Sequence, residues 1–446
     1  MKIVIAGAGD VGSHLAELLS FEHQDIVLID TNQEILDIAA SHLDVLTIRG
    51  DASSIDILRQ AEVNKANLFL ALTTSEKTNL IATILAKKIG AKKVVARVQN
   101  PRYLCAEQRK LFKELGVDTL ICPPQLAALE ISRLVKQCSF TDHFEFEEGK
   151  INLVGITLDD YSPLANKQLS EIRAMQTDFM LRPIAILRGH QTLIPRSATV
   201  FHRNDHIYFI TRKENIDAVI NLVGKKKVTV KKVMILGGSS LARDTARILE
   251  KDYNVTLIER SKEKCKILAE ELDNTLVING DTSNFDVLEE EGLSHMDAFV
   301  ALSGNSETNI IASLTAKNHG VYKTIAQVEN KEYIHISQNI GVDTLINKKL
   351  ITANNIFRFV RKGHVEAITS LAGVDAEIIE YVIHKKNQLT KKPIRELHFP
   401  STAIVGGIIR GEETLIPNGD FQLQVHDKVI VFALPEAITK LEKLFR

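Results

Sequence analysis

Two patterns of apolar and polar positions alternate along the chain. Short Val/Ile-rich runs predict strands: KIVIAG from Lys2, DIVLID from Asp25, DVLTIRG from Asp44, NLFLAL from Asn67, KKVVARV from Lys92 and VDTLIC from Val117. Between them lie apolar residues at helical spacing, such as Val11, Leu15, Leu18 and Leu19. Strands that alternate with helices of this length make a parallel sheet, and right-handed crossovers wind it on both faces. Pro123-Pro124 ends the last strand, and ALEISRLVKQ, Ala128–Gln137, reads as a helix leading out of the domain. The next region differs. INLVGITL, PIAILRG, TLIP and DHIYFIT predict short strands, a helix is expected near Leu169 to Met175, and RGHQTLIP around Gly189 reads as a hairpin. This is a small α+β domain.

The pattern then repeats. Phe69–Tyr103 aligns without gaps with Phe299–Tyr333 at an offset of 230, with 15 of 35 positions identical by count. Gly50-Asp51 matches Gly280-Asp281, GVDTLI recurs from Gly116 and Gly341, and TLIP recurs at Thr192–Pro195 and Thr414–Pro417, its proline followed ten positions on by Asp205 or Asp427. The chain is a tandem duplication. The expected architecture is α/β: two doubly wound parallel-sheet Rossmann domains, each followed by a small α+β domain. The expected boundaries are 1–122, 140–224, 231–348 and 366–446. The linker GKKKVTVKK, Gly224–Lys232, carries five lysines. It reads as a solvated linker, with a membrane or anion contact as the alternative.

Composition narrows the function. The chain has 446 residues, 45% hydrophobic and 25% charged, and 55 basic against 56 acidic residues leave no overall basic field for nucleic acid. Four cysteines without a C-x-x-C pair suggest a reducing compartment. The first strand follows Met1 directly, and no apolar run approaches the roughly 18 residues of a spanning helix. The expectation is a soluble, cytoplasmic protein.

Candidate chemistry centres on Gly7-Ala8-Gly9-Asp10-Val11-Gly12, a G-x-G-x-x-G between a strand and an amphipathic helix. Gly7 permits a tight turn, Gly9 lets a pyrophosphate approach the backbone, and Gly12 lets helix and strand pack closely. The helix N-terminus offers N–H groups and partial positive charge. Asp30 ends the second strand, where a carboxylate hydrogen-bonds a ribose hydroxyl and disfavours a 2′-phosphate, so NAD(H) is expected rather than NADP(H). Asp51 follows the third strand and either contacts adenosine or caps the next helix. Thr73 and Thr74 follow the fourth strand; Thr78 and Asn79 read as helix-capping residues. Arg97 ends the fifth strand, positioned for a pyrophosphate, a neighbouring subunit or solvent. The second copy departs from this pattern. Gly237 and Gly238 precede Ser239, which replaces the glycine of closest approach; Glu259 stands for Asp30, Asp281 for Asp51 and Gln327 for Arg97. No acid–base constellation, G-x-S-x-G or metal spacing appears, and His143, His190, His202 and His206 are scattered through the small domain.

This domain order, with GAGDVG and Asp30, the Gly50-Asp51 pair, TTSEKTNLIA and the Arg97-Val98 strand end, resembles the regulatory subunits of Trk potassium-uptake systems, built from tandem RCK (KTN) modules. The resemblance covers essentially the whole chain. It implies a non-enzymatic regulator that binds NAD (NADH/NAD+) and leaves ATP/ADP open as further ligands. It also implies a homo-oligomeric ring, peripheral on the inner face of the cell membrane, that gates a potassium transporter subunit of the TrkH/TrkG type. An NAD-dependent oxidoreductase of unusual domain order is the alternative. Ser239 and Gln327 set the second nucleotide site apart from the first.

Overall fold

The computed structural model describes the chain except residues 21–23, 147–148, 160, 175–180, 190, 226–227, 283, 331–332, 334–340, 362–367, 371–375 and 446. His190 and Met175 lie outside the described residues. Two compact units separate: Met1–Glu130 with Asn347–Val360, and Ile131–Ile346 with Arg361–Arg446.

In the first unit, β1 (Lys2–Ala6), α1 (Asp10–Ser20), β2 (Asp25–Asp30), α2 (Gln33–His42), β3 (Leu46–Arg49), α3 (Ile55–Gln60), β4 (Leu68–Ala71), α4 (Glu76–Ile89), β5 (Lys93–Arg97), α5 (Ala106–Glu114) and β6 (Thr119–Ile121) alternate as the pattern predicts. The strands form a parallel sheet ordered β3-β2-β1-β4-β5-β6. Strand order reverses at β1/β4, the place where ligands meet the carboxyl edge of such sheets. Residues of β1 and β4, among them Val4 and Phe69, are wholly buried, as a sheet covered on both faces requires. The helix α6 (Pro123–Lys136) starts five residues earlier than its apolar spacing suggested. Proline suits the first helical position, since its missing N–H would have had no partner there.

The second unit repeats this sheet with β12 (Lys232–Leu236), α9 (Ser240–Leu249), β13 (Asn254–Glu259), α10 (Lys262–Glu271), β14 (Thr275–Asn279), α11 (Phe285–Glu290), β15 (Ala298–Ala301), α12 (Ser306–Asn318), β16 (Lys323–Gln327) and β17 (Thr344–Ile346), in the order β14-β13-β12-β15-β16-β17. The intervening numbers belong to the first small domain: β7 (Asp142–Phe146), β8 (Ile151–Thr157), α7 (Leu169–Ala174), β9 (Leu181–Arg188), β10 (Gln191–Leu193), β11 (His206–Arg212) and α8 (Ile216–Val223). After β17 come α13 (Lys348–Arg361), β18 (Ile368–Ser370), β19 (Glu377–Val382), β20 (Ala403–Arg410), β21 (Glu413–Leu415), β22 (Lys428–Ala433) and α14 (Pro435–Phe445). The small domains carry antiparallel sheets, β10-β9-β11-β8-β7 and β18-β19-β22-β20-β21. Their inner faces share one core, in which Ile151, Ile184 and Ile210 meet Ile404, Ile430 and Phe432. A Cβ on Gly406 would come within 2.5 Å of Ile210, so glycine there sets how closely the sheets approach.

The repeated aspartates prove structural. Asp205 and Asp427 are buried to 1% and 0% exposure, and each takes a two-pronged bond from an arginine. Arg188 Nε and Nη2 lie 2.8 and 2.7 Å from Asp205; Arg410 Nε and Nη2 each lie 2.8 Å from Asp427. Each carboxylate also accepts a backbone N–H, from His202 or Gln424. Arg410→Ala would strand the Asp427 charge inside the protein. It is expected to cost about 3 kcal/mol, read as a lower urea midpoint, with Arg410→Lys losing less. An unchanged midpoint would contradict this role.

Candidate functional site

The first glycine loop is shaped by contacts that only glycine permits. Gly7 has φ +101°, and a Cβ there would lie 2.8 Å from Thr73 N. A Cβ on Gly12 would sit 1.9 Å from Gly7 O. Gly9 differs: a Cβ there would meet nothing within 4 Å, so the loop is open at that point. Gly9 also lacks a side chain with which to cap α1. The first-turn N–H groups of α1 are thus left without a side-chain cap from the residue before the helix, the arrangement that suits an incoming anion.

Asp30 braces this loop from β2. Its Oδ2 accepts Ala8 N–H at 2.7 Å, and its Oδ1 accepts Asn32 N–H at 2.9 Å. Each oxygen keeps a second lone pair, enough to receive a hydroxyl donor. Asp51 does not cap α3. Its Oδ1 accepts both N–H and hydroxyl of Ser53 at 2.8 Å, and the backbone bond is the main cause holding its carboxyl below the usual range. Ser54 occupies the N-cap position, without a side-chain bond to the helix.

At the end of β4 the structure reveals a residue whose role the pattern misplaced. Ser75, not Asn79, caps α4, accepting Thr78 N–H at 3.2 Å. Asn79 is 1% exposed and ties two strand ends together. Its Oδ1 accepts Thr73 N–H at 2.9 Å and the Thr73 hydroxyl at 2.7 Å, while its Nδ2 donates to Thr73 O and Arg97 O. Asn309 repeats the arrangement with Ser303 and Gln327. An asparagine at the same place in both repeats was the available signal. Thr74 is exposed, and its carbonyl accepts from Gln99 Nε2 at 3.0 Å. Arg97 ends β5 half-buried. Its Nε is buried with no hydrogen-bond partner among the described residues, and burial holds the guanidinium below its ordinary pKa. A buried, unpaired donor on a cation at the sheet's carboxyl edge favours an anion beside it.

The second loop is built to close. Gly237 turns at φ +98°, and Glu259 accepts Gly238 N–H at 2.6 Å and Ser261 N–H at 2.8 Å, as Asp30 does in the first copy. Glutamate is one carbon longer than aspartate. A Cβ on residue 238 would lie 2.8 Å from its Oε2, which explains glycine here against Ala8 in the first copy. Ser239 does more than add bulk. Its Oγ accepts Ala242 N–H at 3.2 Å, capping α9, and donates to Leu302 O at 3.0 Å. Gln327 Nε2 is bonded to Glu329 at 2.9 Å. Asp281 is exposed, and its carbonyl accepts Asn284 N–H. The helix start left uncapped in the first copy is therefore capped in the second, and Gln327 Nε2 is paired where Arg97 Nε is not, although Gln327 Oε1 is buried without a partner among the described residues.

Among the described residues the histidines form no chelating set. His206 engages Thr157 through Nδ1 and Asp142 through Nε2, both at 2.9 Å, and His143 Nε2 meets Asn152 at 2.8 Å. Among the described residues no three His, Cys, Asp or Glu side chains converge to hold a metal.

Comparison with known proteins places this geometry in a family. The TrkA-N domain model matches residues 3–123 and 233–348, and the TrkA-C domain model matches 153–224 and 378–446. The chain belongs to the TrkA family of Trk potassium-uptake proteins. It is 34% identical over 449 residues to the Trk system potassium uptake protein TrkA homolog of Archaeoglobus fulgidus, covering all of both chains. It is 31% identical over 453 residues to TrkA of Vibrio alginolyticus, covering 100% of this chain and 99% of the relative. In fold it is similar to the GsuK channel, at a TM-score of 0.61 and 15% identity over 99% of this chain and 78% of that one. The GsuK channel bound to NAD matches at 0.59 and 16%, over 100% of this chain and 78% of that one. The family's tandem N and C domains account for the internal repeat. Among the described residues no helix is long and apolar enough to cross a membrane.

Proposed function

We propose that this TrkA family member is a nucleotide-responsive, non-enzymatic regulatory subunit that gates a membrane potassium-uptake transporter of the TrkH/TrkG type. NAD(H) is the ligand of its first loop, and ADP or ATP compete for the same phosphate cradle. The observation that carries the reading is the contrast between an open first loop, with the unpaired Nε of Arg97 near its sheet edge, and a second loop whose helix start is capped by Ser239. The full-length TrkA relatives and the NAD-bound GsuK channel support it. The chain acts as a ring of several copies on the cytoplasmic face. Ile81 and its repeat Ile311 are half-exposed on α4 and α12 and are available for subunit contact, whereas Leu80, Ile84 and Leu85 pack into their own domain. Bound nucleotide shifts the ring by the difference in its affinity for the two gating states.

Purified protein is expected to enhance NADH fluorescence and to leave its absorbance unchanged with hydroxy acids or aldehydes present. In vesicles holding the partner transporter, adding NADH with the protein should change potassium flux. Substrate-dependent NADH turnover, or flux indifferent to the protein, would overturn the reading.

A further inference from the structure

The open loop carries its own anion. Asp10 is the first residue of α1, and its side chain is 70% exposed. A carboxylate suits a helix N-terminus. It also opposes any phosphate arriving at the same N–H groups. That opposition is answered from far along the chain: Lys349 Nζ lies 2.6 Å from Asp10 Oδ2. The lysine is held in place by its helix. Asn347 Oδ1 accepts the N–H groups of Lys349 and Leu350 at 2.9 and 3.1 Å, which fixes the first turn of α13.

We infer that Lys349 is a phosphate-recognition residue of the first nucleotide site, contributed by the helix that follows the second parallel sheet; this rests on the reading of the first loop as that site. The ammonium neutralises Asp10 and lies within a side chain's swing of the loop opened by Gly9. The second copy supports the assignment by lacking both charges. Ser240 stands where Asp10 does in the repeat, and Pro124 stands where Lys349 does. The pair occurs with the open loop and is absent from the closed one. An exposed ion pair alone adds little to stability, so its effect is on the ligand.

Calorimetry on the full-length protein tests this with NADH and ADP, and with adenosine by competition against NADH. Lys349→Ala is expected to weaken NADH and ADP about tenfold, the loss of one charge-assisted contact, and to leave adenosine unchanged. Asp10→Asn in the same background returns part of the loss, and Lys349→Arg keeps most of the affinity. Unchanged NADH and ADP affinities in Lys349→Ala, or an equal loss for adenosine, overturn the inference and leave the first site standing. A wild-type protein that binds neither nucleotide overturns the site reading and the inference with it.

Discussion

Asp30→Ala combined with Gly9→Val is expected to abolish tight NADH binding, while Glu259→Ala changes it little. Valine at position 9 puts a branched side chain into the open space beside Gly9. Alanine at position 30 removes the acceptor that holds Ala8 N–H and that would receive a ribose hydroxyl. Losing a charge-assisted hydrogen bond costs about 1.5 to 3 kcal/mol, which is roughly tenfold to a hundredfold in affinity. Blocking the cradle adds to that, so the double variant should fall at least a hundredfold, beyond ordinary calorimetric detection. In the second copy Glu259 is 6% exposed and braces a loop whose helix Ser239 already caps, so removing it should disturb local packing rather than the high-affinity site. Circular dichroism checks that both variants remain folded. If Glu259→Ala removes the tight site and the double variant keeps it, the two copies have been assigned the wrong way round.

The other large effect is on stability. Gly12→Ala would place a methyl group 1.9 Å from Gly7 O, a backbone atom that cannot turn aside. The equivalent residue of the second copy is Ala242, fully buried and accommodated, so the second copy already houses the methyl group that the first has no room for. The substitution must push α1 outward and strain the packing of Leu15 and Leu19 beneath it. Overpacking of this kind costs about 3 kcal/mol at the upper end of its usual range. For a unit of this size that is roughly 6 to 12 °C in melting temperature. Ala242→Gly should cause a far smaller change, limited to the backbone entropy of one helical residue and a lost methyl group. A Gly12→Ala protein that melts with the wild type would show that the loop relaxes freely.

The parallel sheets were legible because strands buried on both faces read as unbroken Val/Ile runs, and because the repeat displays each of them twice. The small domains were less so. β7, DHFEF, escaped notice because it is an edge strand whose Asp, His and Glu break the apolar pattern, although Phe146 reaches the core. The glycine loop was legible as a motif. The reason for each partner residue was not, since it depends on atoms brought together from distant segments. Asn79 reads as one more polar residue near a helix start, and only the fold shows it binding the ends of β4 and β5. Ser239 reads as an obstruction and turns out to be a cap. Lys349 carries no local signal at all. Its significance lies in where α13 begins.

The path of the chain between units has a practical consequence for dissecting it. The first unit takes residues 1–130 and then, after more than two hundred residues spent in the second, recovers 347–360. Ala353 and Ile356 in that returning stretch are completely buried, and Asn355 lines the same cleft as Leu126 and Leu129. A fragment cut after the first small domain would therefore lack part of its own interior, however complete it looked as one copy of the duplication. Such a half-length protein should aggregate or capture the missing helix from another molecule. Supplying residues 347–360 through a flexible tether should return it to solution as a monodisperse species.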